Sequence, residues 1–359
     1  MKKVKLGQLV SIQTGKLDAN EAVPGGKYPF FTTAKEISCI NEYAYDDEVV
    51  LVAGNGDLNV KYYKGKFNAY QRTYILTSNS NVRMKYLYYF LDKYIEVLRY
   101  QSIGGVIKYI KLNNLSDAQI PMRSTIEQDK IIRILEKLDN EIIIRNKQLS
   151  ELSNLVKSRF NELFGDPVLN EMGWDKHALK EFGIWKSGGT PKRNEKEFFR
   201  GNIPWITSGE LEHKYIENSF EKISEKAIEC SSAKIIEKGS LLLGMYDTAG
   251  LKSSINTRLM SCNQAIAFAK LDDKITNTIY VYYVIQNLRS MLLNQQRGVR
   301  QKNFNLSMIK NIFIPLPPLS LQNEFADLVA QVDKSQLAIQ KSLEELETLK
   351  KSLMQEYFG

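Results

Sequence analysis

Histidine and cysteine are scarce: 359 residues hold two of the first and three of the second. Cys39, Cys230 and Cys262 lie far apart, with no CxxC pair, and His177 and His213 are the only imidazoles, so no structural zinc or other metal site is expected. Three scattered thiols suit buried or idle positions in a reducing compartment, and a cytoplasmic location is expected. Long aliphatic runs are missing too. They reach four or five residues, as in Val49-Val50-Leu51-Val52-Ala53, far short of the roughly 20 that span a bilayer. No membrane association is expected. The start, Met1-Lys2-Lys3-Val4-Lys5, is cationic but has no apolar segment behind it, which argues against a signal peptide.

Catalytic signatures are also wanting. The G-x-x-x-x-G-K-[ST] phosphate loop is absent, and so is a G-x-G-x-x-G dinucleotide fingerprint; Gly54-Asn55-Gly56 lacks the third glycine and reads as a turn. Two histidines without evident partners make no Ser-His-Asp set. The acid pairs Asp46-Asp47 and Asp272-Asp273 also read as turns, not as metal ligands. No catalytic residue is nominated, and the chain is expected not to be an enzyme.

What the sequence does have is a repeat. Residues 115–165 laid over residues 309–359, at a constant offset of 194, match without a gap at Ile120/Ile314, Pro121/Pro315, Gln128/Gln322 and Asp139/Asp333. The identities continue through Leu149/Leu343, Leu152/Leu346 and Leu155/Leu349, and both copies end in Phe-Gly. The preceding stretches repeat more loosely. Tyr28-Pro29-Phe30-Phe31 resembles Ile203-Pro204-Trp205-Ile206, Tyr70-Gln71 lies over Asn263-Gln264, and Gly104 over Gly298. The order is variable domain, similar helix, variable domain, similar helix, as a fixed frame with two different readers would require. The divisions fall at 1–121, 122–165, 166–316 and 317–359.

Residues 124–163 contain no Gly or Pro, and either Thr125 with Gln128 or Ser124 with Glu127 makes a capping box. A 4-3 apolar seam includes Leu138, Ile142, Leu149 and Leu152, interrupted by Arg145 and Arg159. The second copy repeats it through Val332, Ile339, Leu343 and Leu346. Either seam alone would expose a long apolar stripe, so the two copies are expected to pack antiparallel. A homodimerising coiled coil is the competing arrangement. The fold class is α+β: two globular α/β domains separated by two long antiparallel coiled-coil helices, with a pseudo-two-fold internal repeat. Val49–Ala53 and Thr73–Thr77 read as strands. Val82–Leu98 reads as a helix with Tyr86, Tyr89, Phe90 and Tyr94 on its apolar side.

The net charge is +8, and residues 1–165 carry 24 Lys+Arg against 18 Asp+Glu, so most of the excess lies in the first half. An anionic partner is favoured, nucleic acid first. Loop-like stretches of cations and aromatics supply candidates: Lys61, Tyr63 and Lys64, then Gln71 and Arg72, in the first domain. In the second, Lys192 follows Lys186-Ser187-Gly188-Gly189-Thr190-Pro191, Gln264 follows Asn263, and Arg297 and Arg300 flank Gly298. Lysine and arginine neutralise phosphates, while Gln and Arg can pair bidentately with A and G. An ordinary solvated loop is the bland reading of each patch; recurrence at matched places favours double-stranded DNA.

The run Asn311-Ile312-Phe313-Ile314-Pro315-Leu316-Pro317-Pro318-Leu319-Ser320-Leu321-Gln322 before a long helix resembles the hallmark of HsdS-type specificity subunits of type I restriction–modification systems. Ile203-Pro204-Trp205-Ile206, Ser187-Gly188-Gly189-Thr190-Pro191 and Cys262-Asn263-Gln264-Ala265 look like that family's recognition-domain signatures. The first half departs from them: Ile120-Pro121-Met122-Arg123 lacks the double proline, and Tyr70-Gln71-Arg72 replaces the Asn-Gln form. The resemblance implies that each domain, as a target recognition domain, reads one half of a split DNA target. The helices would set the gap and dock two modification (methyltransferase) subunits. S-adenosylmethionine would sit on those partners, and ATP and Mg on restriction (translocase/endonuclease) subunits, with no cofactor in this chain. A protein-binding scaffold, by contrast, predicts no salt-dependent DNA affinity, and a stand-alone modifying enzyme predicts methyl-donor binding or metal-dependent cleavage by the purified chain.

Overall fold

A computed structural model of the chain describes residues 2–246, 250–296 and 303–359. Two compact units emerge: Met1–Lys147 with Ile339–Gly359, and Gln148–Ala338. Each unit therefore joins one globular domain to a length of both long helices. The sequence divides into four parts, whereas the fold divides into two units.

In the first unit, strands β1 (Lys3–Lys5), β2 (Val10–Thr14), β3 (Tyr28–Phe31), β4 (Ser38–Ile40), β5 (Tyr45–Ala53), β6 (Val60–Ala69) and β7 (Thr73–Ser78) precede helix α1 (Met84–Gln101). Helix α2 (Leu112–Ser116), strand β8 (Gln119–Pro121) and the long helix α3 (Thr125–Phe164) follow. Six strands make one sheet in the order β2-β7-β5-β6-β3-β4. The β5–β6 hairpin is its spine, turning at Gly54-Asn55-Gly56 and pairing from Val52 with Val60 to Tyr45 with Phe67. The unbroken apolar run of β5 has a simple cause: both faces are covered. Val50 and Val52 join the core under α1, whereas Val49 and Leu51 pack with Phe31, Phe67 and Ile75 on the other side. Asp46 and Asp47, read as a turn, lie on β5 opposite Lys66 and Gly65. Asp272 does make its turn, accepting from Lys274 N at 3.0 Å.

The second unit contains β9 (Lys176–Ala178), β10 (Lys186–Ser187), β11 (Ile203–Ile206), β12 (Tyr215–Ile216), β13 (Glu221–Ile223) and the short α4 (Glu225–Glu229). Then come β14 (Leu241–Gly244), β15 (Ser253–Asn256), β16 (Ser261–Cys262), β17 (Ile266–Ala269), α5 (Thr278–Gln296), α6 (Leu306–Lys310), β18 (Phe313–Pro315) and the long helix α7 (Leu319–Phe358). A five-stranded sheet, β10-β17-β14-β15-β12, lies beside a three-stranded one, β13-β11-β16. Among the described residues no helix is long and apolar enough to cross a membrane.

The two units share an anchoring scheme down to single atoms. In each, the first strand pairs with the strand before a long helix, Val4 with Ile120 and His177 with Ile314. Tyr86 donates its hydroxyl to Pro121 O at 2.6 Å, and Tyr280, 194 residues on, to Pro315 O at 2.8 Å. Gln128 is buried, its Oε1 accepting from Arg83 N at 2.9 Å and its Nε2 donating to Arg123 O at 2.9 Å. Gln322 repeats this with Asn277 N at 2.9 Å and Pro317 O at 2.8 Å. One amide thus ties the start of a domain helix to the start of a long helix. Gln128 is consequently not a capping residue: Ser124 and Glu127 form the box, with Ser124 N donating to Glu127 Oε2 at 2.9 Å.

Within each unit the long helices run antiparallel. Lys350 meets Asp139 at 2.6 Å in the first, and in the second Arg159 meets Glu324 at 2.5 Å and Gln336 Nε2 donates to Ser153 Oγ at 3.0 Å. Along the seam, Leu138, Val332 and Leu343 are buried, while Ile142, Leu149, Leu152, Ile339 and Leu346 are half-buried. The heptad reading took in Phe325 and Tyr357 but passed over Phe164 and Phe358. Phe164 packs against Tyr280 with ring centres 4.7 Å apart, and Phe358 against Tyr86 at 5.0 Å. Each sits one position beyond a seam residue, where the helix meets its domain as well as its partner helix. The arginine that interrupts the seam at 159 is held by Glu162 and Glu324.

Replacing Gln322 with Leu strands the buried Thr276 hydroxyl, the Asn277 N–H and the Pro317 carbonyl, each costing about 1–3 kcal/mol. The second unit should lose at least about 3 kcal/mol of stability, seen as a lower urea midpoint for amide-exchange protection in that unit alone.

Candidate nucleic-acid interface

The first-domain candidates fall into two groups. Lys61, Tyr63 and Lys64, expected on a loop, are on strand β6, opposite Leu51, Val49 and Glu48. The strand's alternation sends them to different faces. Lys61 turns inward, donating from Nζ to Ala34 O at 2.6 Å and to Asn59 Oδ1, and burial pushes its ammonium below the ordinary lysine range. Tyr63 packs beside Phe31 and Phe67. Lys64 is exposed, 3.5 Å from Glu48.

Gln71 and Arg72 occupy the turn between β6 and β7, and both are exposed. The turn is fastened from three sides: Tyr70 N donates to Phe31 O at 2.9 Å, Gln71 N to Leu17 O at 2.9 Å, and Thr73 N to Tyr70 O at 2.8 Å. Gly15 N donates to Thr73 O at 3.1 Å, and a Cβ on Gly15 would lie 2.1 Å from Ala69 O, so only glycine permits this approach. Gln71 Nε2 reaches Asp18 Oδ2 at 3.5 Å. Beside the turn lies a recess of about 610 Å³ lined by Asn55, Tyr70, Gln71, Arg72 and Tyr109 among others.

The second unit rebuilds this turn from different residues. Asn263 N donates to Ile206 O at 2.9 Å, Ile266 N to Asn263 O at 3.3 Å, and Gly188 N to Ile266 O at 3.1 Å. A Cβ on Gly188 would lie 2.3 Å from Asn263 O. Gln264 therefore holds the backbone position of Gln71, and Gly188 that of Gly15. Both turns end a parallel strand pair, Phe31 beside Ala69 and Ile206 beside Cys262. The three motif segments of the second domain converge here: Trp205 Nε1 donates to Gly189 O at 3.0 Å, and Thr190 Oγ1 donates to Gln264 Oε1. That bond engages the Gln264 side-chain oxygen, while the residue as a whole is exposed.

Lys192 is exposed next to this turn. Its neighbour Arg193 is committed to the protein, paired with Glu221 at 2.6 Å and stacked over Phe199 and Trp205 at 4.7 and 5.0 Å. Arg297 and Arg300 lie outside the described residues. Asn55 and Tyr109 were not singled out from the sequence, where Gly54-Asn55-Gly56 signalled only a turn; Thr190 entered only as part of the Ser187–Pro191 motif. Among the described residues no group of three or more His, Cys, Asp and Glu could hold a metal ion.

Cys262, next to the Gln264 turn, is buried, which pushes its thiol well above the usual range, whereas Cys230 is exposed. Iodoacetamide at pH 8 should label Cys230 and leave Cys262 unmodified until the protein is unfolded, as peptide mass spectrometry would report.

Comparison with known proteins agrees with this duplicated geometry. The family model for the type I restriction modification DNA specificity domain matches residues 1–154 and again residues 171–349. The type I restriction enzyme EcoDI specificity subunit of Escherichia coli is 38% identical over 161 residues, 45% of this chain and 36% of that relative. In that alignment the chain spans about a third of its relative's length. The EcoR124I/EcoR124II specificity subunit, also from Escherichia coli, is 25% identical over 293 residues, 76% of this chain and 68% of the relative. In fold, the S subunit of a type I restriction-modification system from M. genitalium covers the chain over 100% of its length and 96% of its own, with a TM-score of 0.73 at 17% identity. With two matched stretches that take in most of its sequence, the chain belongs to the type I restriction modification DNA specificity family.

Proposed function

We propose that the chain is the DNA-reading subunit of a type I restriction–modification complex, with each globular domain reading one half of a bipartite target. The observation that carries this is the reading turn built twice, with Gln71 and Gln264 at the same backbone position and each held by a glycine that admits no side chain. A single DNA site needs one such turn; a split site needs two that differ in their surroundings. Gln71 and Arg72, and Gln264 in the second domain, supply the base-edge contacts, and Lys64 and Lys192 phosphate contacts. Lys61 serves the fold of its own hairpin.

The long helices set the gap between half-sites and dock two modification subunits. Ile143, Leu155 and Leu337 offer exposed apolar side chains on those helices. S-adenosylmethionine belongs to the modification subunits, and ATP and Mg to the restriction subunits, in the cytoplasm. Division of labour has a physical reason: a methyltransferase must swing its adenine out of the duplex, so another element has to grip the flanking bases. The chain itself performs no bond-making step.

The deciding experiment is a map of methylated adenines in source cells with and without the gene. One bipartite motif with a fixed gap should disappear. An unchanged map would count against the role. In the assembled complex, Gln71→Ala should relax one half-site and leave the other intact; joint loss of both would break the two-reader scheme. Lys192→Ala should weaken binding to all sequences and reduce the slope of log affinity against log salt by about one.

A further inference from the structure

Next to the Gln71 turn, residues 103–109 form a loop closed on itself. Ile103 N donates to Tyr109 O at 3.0 Å and Tyr109 N to Ile103 O at 2.9 Å. It is moored to the β5–β6 turn, with Gly56 N donating to Lys108 O and Ile110 N to Gly54 O, both at 2.9 Å. Gly104 has φ +113°, and a Cβ there would lie 2.4 Å from Ile107 O. The backbone is thus fixed while the tip is bare: Val106 is fully exposed and Ile107 is 62% exposed.

Aliphatic groups at a rigid tip gain nothing from water and are poised to gain from burial. Their surroundings say what would bury them. Ile107 and Tyr109 line the same recess as Gln71 and Arg72, and Lys108 and Lys111 are exposed beside them. A cationic rim around an apolar point suits a polyanion whose interior is apolar. DNA presents that combination, with thymine methyl groups in the major groove and base steps that open to apolar wedges. At the offset of 194, Val106 aligns with Arg300 and Ile107 with Gln301.

We propose that Val106 and Ile107 are specificity-determining residues, an apolar tip that enters a DNA groove and contacts bases in the half-site read by the first domain. This rests on the DNA-reading role proposed above and assigns one half-site to a chemistry distinct from the amide and guanidinium contacts. A surface for a protein subunit is the competing use of the same tip.

The test uses the full chain assembled with its modification subunits, on duplexes carrying the mapped target and on scrambled duplexes, over a series of salt concentrations. The double variant Val106→Ser, Ile107→Ser should bind the target at least about tenfold more weakly, with non-specific affinity, salt slope and melting temperature unchanged. Val106→Met should retain most of the affinity. Val106→Arg should relax the first half-site and steepen the salt slope by about one. Undiminished target affinity in the serine variant would overturn the inference while leaving the reading role intact, and so would a defect confined to complex assembly. A wild-type complex that fails to prefer its mapped target over scrambled DNA would sink the reading role, and the inference with it.

Discussion

A buried glutamine amide is the joint on which each half of the molecule depends. Gln128 and Gln322 each bond at once to the first turn of a domain helix and to the backbone just ahead of a long helix. An amide is suited to this because it donates and accepts in one plane, without the desolvation cost of a charge. A carboxylate there could accept but not donate, and a lysine could donate but not accept. The tyrosine hydroxyls on Pro121 O and Pro315 O fix the strand that enters each helix, and Phe164 and Phe358 press the helix ends against those same tyrosines. The seating of each domain helix on the long helix beneath it follows from these few contacts.

The Gln71 and Gln264 turns show the complementary strategy, a repeated backbone with exchanged side chains. A tight glycine, a parallel strand pair and a turn closed by backbone hydrogen bonds recur, while Phe31 becomes Ile206 and Tyr70 becomes Asn263. Geometry held by main-chain atoms tolerates change in what it presents. In the second unit the turn carries additional support, since Trp205, Arg193 and Glu221 brace the glycine segment from behind.

Much of this was legible in the sequence because it rests on local rules. The repeat offset located both long helices, and the apolar run of β5 marked a strand ending at the Gly54-Asn55-Gly56 turn, although its hairpin partner β6 read as a loop. The seam positions Leu138 and Val332 are buried as their spacing required. Other features depend on contacts distant in sequence. Gln128 looked like a cap because its position fits one, whereas its partner Arg83 N lies 45 residues away. Lys61 looked like a phosphate contact because composition does not reveal that β6 alternates and that Ala34 O awaits its ammonium. Phe164 and Phe358 escaped the heptad because they serve a third surface, the domain helix, that a two-helix pattern does not contain.

The anchoring hydrogen bonds are alike in the two units, but the ions beside them are not. Asp139 takes its cation from Lys350 of the long helix α7, while its counterpart Asp333 takes its cation from Lys214 of the second globular domain. During folding, a duplicated chain offers every domain two nearly equivalent berths. A domain seated on the wrong berth would satisfy its tyrosine and glutamine bonds yet leave one largely buried aspartate without a counter-ion and another with a surplus. The asymmetry of those two ion pairs acts as an address label, giving correct assembly an energetic margin that the repeated frame by itself does not provide.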